Sequence, residues 1–141
     1  MKTTIAYKKQ SAGILYIILT FFGVGILVSS FTEKLLPLGI IGALLTVISA
    51  IQSLRFLLLP SSIVVLSNDN TLILPKGIVV SLDSIGEVSY RCASAKSIQY
   101  RWGSITISTY SGTYKYGFVS DCEDVAKQLT KLMYDAKNLK A

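Results

Sequence analysis

The sequence predicts an α+β chain: a transmembrane α-helical hairpin, then a small antiparallel β domain of about seven strands, closed by a C-terminal amphipathic helix. Three observations carry that prediction. Two uncharged apolar runs, residues 12–31 and 35–54, lie close together near the N-terminus. From Ser61 onward, apolar residues alternate with polar ones and turn residues recur every few positions. After Ser120 the spacing changes again, to the period of an amphipathic helix. Composition agrees. Of the 141 residues 51% are hydrophobic and only 16% are charged, against roughly 25% charged in an average soluble domain. The deficit is local, because the N-terminal half holds few of the charges.

The first run, Ala12 to Phe31, has the roughly 20 residues that a helix needs to cross a hydrocarbon core about 30 Å thick. A signal-peptide core is shorter, and no small-residue cleavage site follows Ser30. The second run, Leu35 to Leu54, begins after Thr32-Glu33-Lys34 and ends at Arg55. Its Pro37 sits in the first turn, where a missing N–H breaks no helical bond. So short a connection makes the two helices antiparallel. Lys2, Lys8 and Lys9 precede the first helix and Arg55 follows the second, while the loop sets Lys34 beside Glu33. This asymmetry places both chain ends in the cytoplasm of a two-pass cell-membrane protein.

Small residues on the second helix, Gly39, Gly42, Ala43 and Thr46, permit another helix to approach closely. Two uses are open, a seam between copies or packing against the first helix. Neither span carries an ionisable residue, and such residues mark ion pathways, so a transporter or pump is disfavoured.

Residues 1–60 are thus expected to be an N-terminal tail plus two spans, and residues 61–141 a cytoplasmic β domain. Its expected strands are Ser62–Ser67, Thr71–Leu74, Gly77–Leu82, Ile85–Cys92, Ser97–Trp102, Ser104–Tyr110 and Thr113–Val119. Asn68-Asp69-Asn70, Pro75-Lys76-Gly77 and Ser111-Gly112 use residues that tolerate turn dihedrals. Ile98, Tyr100 and Trp102 alternate with polar neighbours, as do Tyr114, Tyr116 and Phe118, and each set should face the core. Ser120-Asp121-Cys122-Glu123 reads as a capping box opening a helix over residues 121–138. Val125, Leu129, Leu132 and Met133 form its apolar stripe, away from Lys127, Lys131 and Lys137.

Three stretches carry a resemblance: Leu82-Asp83-Ser84-Ile85-Gly86-Glu87-Val88, Tyr100-Arg101-Trp102-Gly103 with its following strand, and the closing helix from Asp121 to Leu132. Residues 61–139 resemble the bacterial pleckstrin-homology-like domains of small membrane proteins with an N-terminal helix pair. The resemblance implies two nearly orthogonal sheets with a capping helix, and it implies no catalysis and no particular ligand. Family members that bind phosphoinositides surround their first β-turn with Lys and Arg. Here that turn is expected at Ser67-Asn68-Asp69-Asn70, without a cation, so inositide recognition is not carried over.

The formal net charge of +6 suits an anionic membrane surface. No nucleic-acid-binding motif is present, and nucleic acid is not an expected partner. The basic and aromatic residues Tyr90, Arg91, Lys96, Arg101, Trp102, Tyr110 and Lys115 admit two readings: a patch for lipid phosphates or a partner, or core aromatics with solvated cations between them. Arg91, Lys96, Arg101, Trp102 and Lys115 are the binding candidates. Cys92 and Cys122 read as small buried hydrophobes in a reducing compartment. The chain has no histidine, and two cysteines alone make no zinc site, so neither metal nor cofactor is expected. Asp83 and Glu87 read as a strand edge, and Asp121, Glu123 and Asp124 as charges suited to a helix start. Ser94 and Lys96 lack the surroundings of a Ser–Lys dyad, and no catalytic residue is expected.

The expected function is a non-catalytic, membrane-anchored module that binds a protein partner or an anionic lipid surface. The resemblance raises an immunity or resistance role against a membrane-active peptide as one specific form. The alternative is a structural or pore-forming oligomer built from the hairpins.

Overall fold

The structure is a computed structural model that describes residues 2–140. The chain divides into a helical unit, Gln10–Leu58, and a β domain made of the residues up to Lys9 together with those from Leu59 onward.

In the helical unit, α1 (Gln10–Glu33) and α2 (Leu36–Leu58) are antiparallel and joined at Lys34, whose left-handed φ of 54° reverses the chain. Both helices are long and apolar enough to cross a membrane. Both also exceed the expected bounds of 12–31 and 35–54. α1 takes in Gln10 and Glu33, and α2 runs past Arg55 because nothing breaks it before Leu59, the residue ahead of Pro60. Large apolar side chains such as Ile18, Phe21, Phe31, Ile40 and Leu44 lie open on the unit's surface, whereas Gly23, Ser30, Gly42, Ser49 and Ser53 are buried. That distribution is the inverse of a water-soluble helix pair and suits a hydrocarbon surround.

The β domain holds seven strands among the described residues, in two antiparallel sheets. The first sheet is β1 (Thr3–Tyr7), β2 (Ser62–Ser67), β3 (Thr71–Leu74) and β4 (Ile78–Ser81), in that order. The second is β5 (Ile85–Ala95), β6 (Ile98–Thr109) and β7 (Gly112–Val119). The first element is a correction to the sequence reading. Thr3–Tyr7 is no tail but a strand, pairing with β2 through Thr3 opposite Leu66 and Tyr7 opposite Ser62. Ile5 and Ala6 are buried in the core. The amide of Ser120 donates to Tyr7 O (2.9 Å) and that of Lys9 to Phe118 O (2.7 Å), so the end of β1 also ties the first sheet to the second.

A second correction concerns β6, expected as two strands broken near Gly103. It is continuous there, with Gly103 opposite both Cys92 and Val119. The residue must be glycine because a Cβ at this position would collide with the Arg91 carbonyl and the Cys92 backbone. The expected turns 68–70 and 75–77 do form. Asn70 and Lys76 adopt left-handed φ values of 53° and 67°, and Gly77 adopts 74°.

α3 (Cys122–Asn138) packs Val125, Ala126, Leu129, Met133 and Ala136 onto the core, with Leu132 partly buried at its edge. The expected capping box does not form. Asp121 takes the cap position in left-handed φ (48°), and the Ser120 hydroxyl donates to the Asp121 carboxylate (3.1 Å) and accepts from no helix amide. Glu123 instead accepts from Lys127 one turn along at 2.7 Å. Beneath α3, Ile63 and Leu72 of the first sheet, Ile85, Ile105 and Ile107 of the second, and Leu82 between the sheets complete the core.

Candidate functional site

Strand alternation sorts the candidate residues onto different surfaces. Ile105 and Ile107 point into the core, so Ser104, Thr106 and Ser108 between them point outward. Arg91 is opposite Ser104, and Lys115 is opposite Thr106, which makes Arg91 and Lys115 members of one polar outer face on the second sheet. Both are exposed. Trp102 joins them at the margin, where its indole stacks on Phe118 with ring centroids 6.1 Å apart and planes 9° from parallel. Phe118 reaches that stack because its φ of 56° coincides with a register shift in β7 between the partners of Gly103 and Ile105. Tyr100 follows Trp102 at 6.3 Å, giving a short aromatic row.

Lys96 and Arg101 do not belong to that face. Lys96 lies in the β5–β6 turn with φ 53° and is exposed. Arg101, the neighbour of Trp102, lines a cleft of about 290 Å³ with Cys92, Gln99, Tyr100 and the acidic start of α3, Asp121, Glu123 and Asp124. Tyr90 is exposed on the side of Lys127, and Tyr110 is exposed in the β6–β7 turn. The expectation that Ile98, Tyr100 and Trp102 face the core fails: Ile98 and Tyr100 are 60% and 42% exposed, and Trp102 is half-buried outside the core, at the margin of the outer face. β7 ends its pairing at Gly103, so the β5–β6 tip extends beyond its cover. Tyr114 and Tyr116 do pack against the core, and burial, aided by Tyr114, pushes the Tyr116 phenol above its usual range.

Cys92, which lines the cleft, meets the chain's other cysteine. Cys92 is partly exposed, Cys122 is fully buried, and their sulfurs are 2.9 Å apart. Burial first, then the contact with Cys92, pushes the Cys122 thiol up to about 12. Each had read as a small buried hydrophobe. Their pairing has no sequence signature, because it depends on a β-strand and a helix start converging in space.

In the helical unit the small residues of α2 lie along α1. A Cβ on Gly42 would fall 3.0 Å from the Leu27 amide, and one on Gly39 would fall 2.9 Å from Ser30 Oγ. Thr46 packs at Gly23 and donates its hydroxyl to the Gly42 carbonyl at 2.7 Å. Gly39 and Ala43 also line an apolar groove of about 500 Å³ near the turn.

Among the acidic candidates, Asp83 pairs with Lys140 and Glu123 with Lys127. Among the described residues no group of three or more Cys, Asp or Glu is placed to hold a metal. No protein-family model, curated protein or solved structure matches this chain.

Proposed function

We propose that this chain is a non-catalytic binding module held at the cell membrane, in which a two-span hairpin anchors a pleckstrin-homology-like domain of the kind found in small bacterial membrane proteins. The observation that carries the reading is where the hairpin enters the β domain. It is inserted between β1 and β2, two strands that pair directly. The Lys8 amide donates to Ser61 O at 3.0 Å, and its ammonium donates to Leu59 O at 2.7 Å. The chain therefore leaves the domain for α1 and returns from α2 at one place, which supports an even number of crossings. Lys2, Lys8, Lys9 and Arg55 favour the cytoplasmic side for that place.

The order of four strands, three strands and a closing helix supports the pleckstrin-homology-like reading. With Thr3–Tyr7 as first strand, the first β-turn of that fold is the hairpin itself rather than Ser67–Asn70. The position where inositide-binding members carry their cations is thus occupied by membrane helices. Contact with anionic headgroups or with an acidic protein surface falls instead to Arg91 and Lys115, flanked by Trp102. An immunity role against a membrane-active peptide is a form of this reading in which that face meets the peptide or its target.

Native mass spectrometry of the full chain released from nanodiscs tests it. The expected species is a monomer that retains anionic lipid in preference to zwitterionic lipid and loses that preference when Arg91→Glu and Lys115→Glu are combined. A closed oligomer without selective lipid overturns the reading in favour of an assembly built from the hairpins.

A further inference from the structure

We propose that Cys92 and Cys122 form a thiol–disulfide exchange site, in which Cys92 attacks a small disulfide from the cleft and Cys122 resolves the product, reversibly cross-linking β5 to the start of α3. These are the only two cysteines of the chain, and residues 30 positions apart are brought to a sulfur–sulfur distance of 2.9 Å. A disulfide requires about 2.05 Å, so closure needs a movement of under about 1 Å. The register shift next to Cys92 puts extra residues in β6 between Gln99 and Gly103, so the ladder is interrupted on the far side of Cys92 from Arg91.

The two thiols are unequal in the way that exchange requires. Cys92 is partly exposed and lines the 290 Å³ cleft, so an incoming disulfide reaches it directly. Cys122 is fully buried and does not line the cleft, with its sulfur against that of Cys92. Burial and the contact with Cys92 also push its thiol up to about 12, so it stays protonated in the resting site, where the two sulfurs share a hydrogen bond that either can donate.

The reaction balances with a low-molecular-weight disulfide, RSSR, as oxidant. The Cys92 thiolate attacks one sulfur of RSSR, the S–S bond breaks, and the first RS⁻ leaves and takes up the proton that Cys92 released. Cys122 then attacks Sγ of the Cys92–SR mixed disulfide, its proton passing to the second departing RS⁻. Two protein thiols are oxidised by two electrons to one disulfide, and RSSR is reduced to two RSH. Reduction by an excess of RSH runs the same steps backwards. The cleft wall carries Arg101 but also Asp121, Glu123 and Asp124, so a cationic disulfide such as cystamine is favoured over the anionic glutathione disulfide.

The test uses the full chain, reduced, in nanodiscs. It is pulsed with cystamine or glutathione disulfide, quenched in acid, alkylated, and mapped by intact and non-reducing peptide mass spectrometry. The expected product is lighter by two hydrogens and carries a Cys92–Cys122 link, with both thiols protected together and formation severalfold faster with cystamine at low salt. In Cys122→Ala the reaction stops as a mixed disulfide on Cys92. In Cys92→Ala the remaining thiol reacts more than about 10-fold slower than Cys92 does, because it is exposed only by local opening. Emission of Trp102 checks that each variant is folded, and the wild-type map decides alone if one is not. A wild-type chain that accumulates Cys92 mixed disulfide while Cys122 stays alkylatable, or that links only between chains, overturns the proposal. Equal rates for the two disulfides at low salt overturn the charge preference of the cleft.

Discussion

The helical unit and the β domain solve opposite packing problems with the same chain. In the β domain the buried side chains are apolar, led by Ile63, Leu72, Leu82, Ile105, Ile107 and Leu129. In the helical unit most large apolar side chains lie outside, buried Phe56 excepted, and the three buried polar residues described, Ser30, Ser49 and Ser53, are all found there. Two of the hydroxyls are satisfied within their own helix: Ser30 donates to Leu27 O at 2.7 Å and Ser49 to Leu45 O at 2.5 Å. Ser53 lies 3.4 Å from Thr20 Oγ1, whose own proton goes to Tyr16 O, so Ser53 donates across the helix pair. Water drives the first arrangement by expelling apolar surface. A hydrocarbon surround gives no such drive, and close approach of small residues replaces it.

Four perturbations sharpen that contrast, and the sole tryptophan, Trp102, reports on the β domain separately from helicity. The largest effect is expected from Leu129→Ala, which opens a cavity in the β core where Leu129 is 0% exposed. It should cost about 3 kcal/mol in the Trp102 unfolding transition and leave the hairpin intact. Gly42→Leu should do the reverse, since its side chain would meet Ile26 and the Leu27 backbone. A loss of about 2 kcal/mol is expected in the helical transition measured by circular dichroism in detergent, without a change in the Trp102 transition. If both transitions move together for either variant, the two units are not independent.

The third perturbation is pH. The folded β domain keeps a proton on Cys122 that the unfolded chain, with the thiol's usual 9.0, has already released on the way to about 12. That contribution is complete below the lower value and is lost as pH rises through the window, with a slope of up to about 1.4 kcal/mol per pH unit. Urea unfolding followed at Trp102 on either side of the usual thiol value should show the decline, and Cys122→Ala should flatten it. Tyr116, also raised, leaves a residual slope in the same direction at higher pH. The smallest effect belongs to Ser53→Ala, about 0.6 kcal/mol in the helical transition, as for an average side-chain hydrogen bond between membrane helices.

The elements legible in the sequence were those whose signal is local. Both spans, the turns at 68–70 and 75–77, and the stripe of Val125, Leu129 and Met133 follow from spacing and turn chemistry within a few residues. Helix ends were less legible, since the extension of α2 to Leu58 depends only on where the next breaker falls. The candidate site was legible in part. Arg91 and Lys115 share one outer face of the second sheet with Trp102 at its margin, whereas Arg101, which composition groups with them, lines the cleft with Cys92. A bulge in β6 and a left-handed Phe118 decide those facings, and neither is encoded in simple alternation.

By itself, then, the sequence determined that this chain has a membrane-type hairpin, a β domain and a closing helix, because hydropathy and periodicity act along the chain. Only the tertiary structure decided that Thr3–Tyr7 is the first strand, that β6 runs unbroken through Gly103, and that Cys92 meets Cys122. Each of those depends on a partner distant in sequence. A strand's hydrogen bonds are made with its neighbour rather than within itself, and the entropy of closing the intervening loop grows only slowly with its length. A short N-terminal segment can therefore pair across an inserted helical hairpin and leave no mark in its own residues.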